Sequence, residues 1–255
     1  SIENGLVKEV VLSDKRTVKA NNFVVTTGGL SYPLTGATGE GYIWAKETGH
    51  KISKTTPALV PLKIKEDWVK KLQGLSLKNV ELTAWQKKKK ISSRFGEMLF
   101  THFGVSGPIV LDVSKEVILA EENGEVELSL NLKPALSSEQ LDDRLQRDFK
   151  KNQNKLFKNS LDELLPQKMI PVIIELSGID PEKVVNSITK KERQKLLTAL
   201  VDLRFTVNGN MGYDLAIVTS GGVDTREIDP RTMCSKIIPN LYFAGEVLDV
   251  DGPTG

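Results

Sequence analysis

Two runs of β-branched and aromatic residues end on glycine: Phe23-Val24-Val25-Thr26-Thr27-Gly28-Gly29 and Leu241-Tyr242-Phe243-Ala244-Gly245-Glu246. The carboxyl edge of an open parallel sheet is where such sheets bind ligands. Glycine there removes Cβ, so a ligand can approach the main chain, and the backbone can adopt conformations that other residues resist. A tight turn uses glycine equally well at any single position, so the two runs together carry the argument.

Other reactive side chains are sparse. Two distant histidines and one cysteine give no ligand cluster, so no metal site is expected. Hydrolase chemistry fits poorly, because no GxSxG nucleophile motif occurs and Ser106 in VSGP lacks a flanking glycine on the correct side. Cys234 has no second cysteine for a redox pair and reads as an incidental thiol. His50 follows Gly49 and reads as helix C-terminal capping chemistry.

The elements that must position the two glycine runs alternate in texture. A hairpin is predicted from VKEVVL at 7–12 and TVKA at 17–20, and a short helix from Tyr42, Ile43, Ala45 and Lys46 up to Gly49. From Pro57 the pattern turns to strands at 59–64, 80–85 and 125–132, suggesting an antiparallel sheet or small barrel. Between 137 and 203 the period is helical, with capping boxes predicted at Ser137/Gln140, Ser160/Glu163 and Thr189/Glu192 and a cap at Asp180-Pro181, giving about four helices. Strands return at LRFTVN, YDLAIV and LYF. This order implies one domain interrupted by an insert, with both glycine-ended strands in the interrupted sheet. The four lysines at 87–90 read as a solvated hairpin tip.

The 35 basic and 33 acidic residues leave a net charge of +2, so no global field draws the chain to nucleic acid or an anionic membrane. Neither partner is expected. No apolar run approaches the roughly 20 residues of a membrane helix. One cysteine and no signal-peptide pattern suggest a reducing cytoplasm. Oligomeric state is not legible.

Several longer segments resemble the flavoproteins known as NAD(P)/FAD-dependent oxidoreductases, the BaiN-like or aminoacetone oxidase family. They are VVTTGGLSYPLTGATGEGY at 24–42, ETGHKI at 47–52, TPALVPL at 56–62, EMLFTHFGVSGP at 97–108, TSGGVD at 219–224 and TMCSKIIPNLYFAGEVLDVDGPTG at 232–255. The resemblance implies an α/β FAD-binding domain of the two-dinucleotide-binding-domain type, over 1–55 and 219–255. It would be interrupted by an antiparallel β-barrel-like domain over 56–135 and 204–218 and by a small helical domain over 136–203. By the same resemblance Thr27, Gly28 and Gly29 lie near the dinucleotide, and Gly245 and Glu246 near the ribityl-pyrophosphate region. Asp249, Gly252, Pro253, Thr254 and Gly255 match the segment that passes the isoalloxazine ring. In such folds a helix then opens, and its N–H groups face the flavin where negative charge collects on reduction.

No GxGxxG fingerprint occurs, and Gly36, Gly39 and Gly41 have the wrong spacing. The chain is therefore expected to be the middle and C-terminal part of a longer protein, inactive and poor at holding FAD in isolation. No catalytic residue is assigned; His102 in FTHFGVSGP is the candidate proton donor near the flavin, against the plainer reading of a hydrogen-bonded structural histidine. The expected activity is hydride transfer between FAD and a small organic substrate, with NAD(P)H as donor. Oxygen-dependent amine oxidation is the enzymatic alternative, and a non-catalytic binding module on a flavoprotein scaffold is the alternative of another class.

Overall fold

The computed structural model of the chain describes residues 1–252. The chain divides into two units, one of Ser1–Val60 with Met211–Gly255 and one of Pro61–Asn210.

The first unit opens with β1 (Ile2–Glu3) antiparallel to β2 (Leu6–Val7). The predicted hairpin follows as β3 (Glu9–Val11) and β4 (Thr17–Lys19), with Val10 opposite Val18. Then β5 (Phe23–Val25) runs into the Thr-Thr-Gly-Gly segment, and α1 (Glu40–Glu47) ends before Gly49, which sits in the left-handed region at φ +88°. The strand β6 (Ile52–Ala58) closes this segment.

The second unit is a closed six-stranded barrel with helices. Its elements are β7 (Leu62–Ile64), α2 (Trp68–Lys71), β8 (Ser76–Gln86), β9 (Lys89–Phe100), β10 (Gly104–Ser106), α3 (Pro108–Glu121), β11 (Glu127–Asn131), α4 (Ser138–Lys151), α5 (Ile170–Ser177), α6 (Lys190–Val201) and β12 (Leu203–Asn210). Around the barrel the order is β10, β7, β12, β11, β8, β9, with each pair antiparallel. Period-two patterning explains the inward set: Val126, Leu128, Leu130 and Leu132 are all buried, as are Leu82, Phe205 and Phe100 on neighbouring strands. Trp68 of α2 meets Phe205 edge-on, with ring centroids 5.8 Å apart.

Closure demands glycine at two places. A Cβ on Gly104 would lie 2.2 Å from the Leu62 carbonyl oxygen, and Gly107, at φ +94°, abuts the Met98 backbone. The glycines of FGVSGP are thus explained by strand packing within the barrel.

Helix α3 is a departure from the sequence reading, which has no helix over 108–121. Its Val- and Ile-rich run lacks the texture of a helix, but Pro108 opens it and Val110, Val113 and Val117 bury one face. In the helical block both Ser137/Gln140 and Thr189/Glu192 form complete capping boxes. The Ser160/Glu163 box does not form, because Ser160 Oγ donates to Phe157 O at 2.8 Å and closes a 3-10 turn. Asp180 likewise starts an Asx turn, accepting from Glu182 N at 2.9 Å, and no α-helix starts at Pro181. Leu141, Leu145, Ile173, Leu196 and Leu200 from these helices belong to the same apolar cluster as Leu128 and Phe205 of the barrel.

The chain then returns to the first unit. Here β13 (Val218–Val223) pairs antiparallel with β6, and β14 (Leu241–Phe243) pairs parallel with β5. The predicted strand YDLAIV is replaced by a turn at 213–215, and pairing starts only at Val218. Among the described residues no helix is long and apolar enough to cross a membrane.

Candidate functional site

The two glycine-ended strands are neighbours. Leu241, Tyr242 and Phe243 stand opposite Phe23, Val24 and Val25, and Ala244 N donates to Val25 O at 3.1 Å, so both chains leave the sheet side by side. Each then turns through glycine in the left-handed region, Gly28 at φ +73° and Gly245 at φ +83°. The nearest atom to a Cβ on Gly28 would be Ala37 Cβ at 3.9 Å, and a Cβ on Gly245 would meet nothing within 4 Å. These two glycines answer to backbone conformation and leave open space above them.

Gly29 is different. A Cβ there would lie 2.4 Å from Thr219 Oγ1 and 2.9 Å from Glu246 Oε1, so internal packing requires its glycine. Thr219 is 1% exposed and ties three segments together. Its Oγ1 accepts from Leu30 N at 2.8 Å and Ser31 N at 3.0 Å and bonds Ser31 Oγ at 3.0 Å, while its own N–H donates to the Glu246 carboxylate. The Glu246 side chain therefore braces the loop from beneath.

A groove of about 420 Å³ lies over this brace, lined by residues that include Thr27, Gly28, Gly29, Ser31, Tyr32 and Glu246. Glu246 supplies the one charged side chain of that lining, among the described residues. Tyr42 lies beneath, donating to Glu246 O at 3.4 Å. Burial, then the negative charges of Glu246, Tyr213 and Asp249, push its hydroxyl up to about 12, so it remains a donor. Gly41 passes so close to Thr27 that a Cβ would sit 2.0 Å from Thr27 Oγ1.

The sequence candidates thus separate. Thr27, Gly28, Gly29 and Glu246 converge on one groove, with Gly245 beside it in the chain. Asp249 is held by its backbone, its N–H donating to Val223 O at 2.9 Å, and Gly252 is exposed with open space around it. Pro253, Thr254 and Gly255 lie outside the described residues. His102 belongs to the barrel unit, exposed on the turn between β9 and β10 with its ring edge-on to Phe103 at 4.9 Å. Among the described residues no group of three metal-ligating side chains occurs.

Thr219 escapes sequence reasoning, although the double glycine after it was a usable signal. Gly221 and Gly222 mark a register shift on β13, where a Cβ would lie 2.3 Å from Lys54 O and 2.6 Å from Val247 O respectively. His50 is also more than a cap. It is 3% exposed, with Nδ1 2.9 Å from Thr48 Oγ1 and Nε2 2.7 Å from Ser235 Oγ. Ser235 Oγ already accepts from Ile237 N and Ile238 N, so its hydroxyl proton goes to Nε2 and the imidazole proton sits on Nδ1. Burial holds the His50 pKa below its ordinary value.

Comparison with known proteins adds identity to this geometry. The family model described as HI0933-like protein barrel and H2TH domain matches residues 56–218. Over 239 residues the chain is 36% identical to a protein of Haemophilus influenzae named ribosomal RNA dihydrouridine synthase, covering 93% of this chain and 56% of that protein. An Escherichia coli protein of the same name is 36% identical over 94% of this chain and 57% of its own length. A 3-dehydro-bile acid delta(4,6)-reductase of Clostridium scindens is 28% identical over 96% of this chain and 60% of its own length. The chain therefore spans little more than half the length of these relatives. It belongs to the HI0933-like family.

Proposed function

We propose that this member of the HI0933-like family is part of an FAD-dependent reductase that adds hydrogen across a carbon–carbon double bond conjugated to a carbonyl, with NAD(P)H as electron donor. The unit of Ser1–Val60 with Met211–Gly255 is, in this reading, the cofactor-binding part, of the two-dinucleotide-binding-domain type. The observation that carries it is the side-by-side exit of β5 and β14, each through a left-handed glycine, onto one groove. That is the carboxyl edge of a parallel pair, where α/β sheets hold nucleotide cofactors.

The groove chemistry fits the hydroxyl-bearing part of such a cofactor. Thr27, Ser31 and Tyr32 offer neutral donors and acceptors, and Gly28 and Gly245 let the main chain come close. A phosphate would meet the Glu246 side chain there, which makes no ion pair among the described residues, so this stretch suits sugar or ring better than pyrophosphate. Thr219 and Glu246 position the loop, and Tyr42 keeps its proton at neutral pH. FAD, when bound, supplies the hydride chemistry that no side chain here provides.

The relatives' names favour the double-bond reading. A dihydrouridine is a uridine reduced at the ring double bond next to its carbonyl, and a dienone bile-acid reductase reduces a bond of the same kind. Uridine in ribosomal RNA is the substrate we favour, since both 36% identical relatives carry that name.

The visible spectrum of the full-length protein is the first test, because oxidised flavin colours it yellow. NAD(P)H consumption with a ribosomal RNA transcript, and a gain of two hydrogens on one uridine, would support the reading. A colourless protein that FAD cannot reconstitute, or oxygen consumption with amines in place of reduction, would overturn it.

A further inference from the structure

The longest hairpin of the barrel ends in four lysines. Strands β8 and β9 pair down to Gln86 opposite Lys89, leaving Lys87 and Lys88 as a two-residue turn. Both take left-handed conformations, φ +48° and +66°, the pattern of a type I′ turn in which Asn and Gly are the usual residues. A side chain in this region is disfavoured by roughly 1–2 kcal/mol per residue. Asn-Gly would build the same turn at lower cost, so stability does not account for Lys-Lys.

The tip is set apart by the adjacency of its charges. Some lysines of this unit have acidic partners, for example Lys71 with Glu175, Lys151 with Glu163, Lys158 with Glu182 and Lys183 with Glu192. Others, such as Lys150, Lys155 and Lys195, make no ion pair among the described residues, but four stand in a row at 87–90 alone. Lys87 to Lys90 are all exposed, and none makes an ion pair among the described residues. In the acidic turn after α3, Glu121 accepts from Gly209 N, Glu125 pairs with Lys65, and Glu127 pairs with Arg204. Four adjacent like charges repel one another, which a bound polyanion relieves.

The tip is also held in place. Gln86 Nε2 donates to Ala120 O at 2.6 Å and Gly124 O at 2.9 Å, fastening the hairpin end to the turn after α3. Behind it, the Arg204 guanidinium lies 5.4 Å from the Trp85 ring. A fixed cluster of unpaired ammonium groups suits a phosphate backbone, where lysine acts as a point charge without base readout.

We infer that the Lys87–Lys90 hairpin tip is a contact for the sugar-phosphate backbone of RNA. This departs from the expectation, drawn from chain-wide charge balance, of no nucleic-acid partner: the field is local. It rests on the RNA-substrate reading proposed above and assigns to that reading a docking element.

The test uses the full-length protein and a labelled single-stranded RNA oligonucleotide, followed by fluorescence anisotropy over a salt series. Replacing all four lysines by Ser is expected to weaken binding about tenfold or more at low salt and to flatten the salt dependence by about 0.7 in slope for each phosphate that is no longer neutralised. The pair Lys87→Asn with Lys88→Gly supplies the preferred turn residues, so it should fold at least as well and still lose part of the slope. Four arginines should restore binding. Unchanged affinity and slope in the Ser and Asn-Gly variants, with the flavin spectrum intact, would overturn the inference while leaving the reductase reading standing. Tip-dependent RNA binding by a protein that holds no flavin would do the reverse. Tip-dependent binding to phosphatidylserine vesicles without RNA binding would assign the tip to membranes and also overturn the inference.

Discussion

The two units of this chain are stabilised differently. Pro61–Asn210 is organised around one continuous cluster of forty buried apolar residues, whereas Ser1–Val60 with Met211–Gly255 has a cluster of ten, both counted among the described residues. The first unit relies instead on polar ties, such as Thr219 beneath the loop and His50 beneath β14, and on glycines that let backbones touch. It also leaves Val24, Ile43 and Trp44 exposed. Apolar packing is forgiving of pH and tolerant of small polar changes; a scaffold of single hydrogen bonds is neither. Among the described residues the groove thus lies in the unit with the smaller apolar cluster.

Mutations sharpen this contrast, beginning with the barrel core. Phe205→Ala should destabilise the second unit by about 3–5 kcal/mol, the range for a fully buried aromatic, read by denaturant unfolding. A smaller loss would mean the barrel core can collapse around the gap. In the first unit, Thr219→Val leaves the Leu30 and Ser31 N–H groups without their acceptor and should cost about 2–3 kcal/mol, with Thr219→Ser recovering most of it. Hydrogen exchange at Leu30 and Ser31 checks this, and unchanged protection would remove Thr219 from its positioning role. Gly245→Ala, which meets open space but keeps φ +83°, should cost only about 1 kcal/mol of stability while lowering FAD affinity of the full-length protein. An unaltered flavin affinity in Gly245→Ala and Gly28→Val together would argue against the groove.

Acid should separate the units without any mutation. The native His50 is neutral with a lowered pKa, and the unfolded chain takes up that proton first. Its contribution is therefore complete above about 6.5 and is lost as pH falls below it toward the lowered native value. In the second unit Glu192 is held at about 2 by Lys183 and by the Thr189 N–H, so its contribution is complete above the ordinary value of 4.5 and is lost only as pH falls through about 2. Hydrogen exchange at mildly acidic pH should show the His50 region opening first. Equal protection of both regions, or no change in the trend on His50→Asn, would contradict this.

Much of the barrel was legible because its strands obey a local rule. Alternation over 125–132 and 80–85 predicts β11 and the core of β8, and the lysine run marks the tip of the β8–β9 hairpin. The boxes at Ser137 and Thr189 are legible for the same reason, since donor and acceptor lie three residues apart. Ser160 and Asp180 carry equally good local signals but lose to the packing of Phe157 and to an Asx turn. Helix α3 was not legible, because burial against the barrel outweighs the strand preference of its valines. For the groove, glycine-ended strands flag Gly28 and Gly245, and Gly221-Gly222 flags the strand of Thr219 but not the role of Thr219 itself, whose partners lie 188 and 189 residues away.

The incoming and outgoing strands of the barrel unit touch, with Leu62 opposite Asn210. That adjacency lets one contiguous stretch complete itself as soon as the ribosome has released it. The groove-bearing unit must wait, since β5 finds its partner β14 only after more than two hundred further residues have been made. Within this stretch, residues 1–60 therefore wait longest for the strand that completes their sheet.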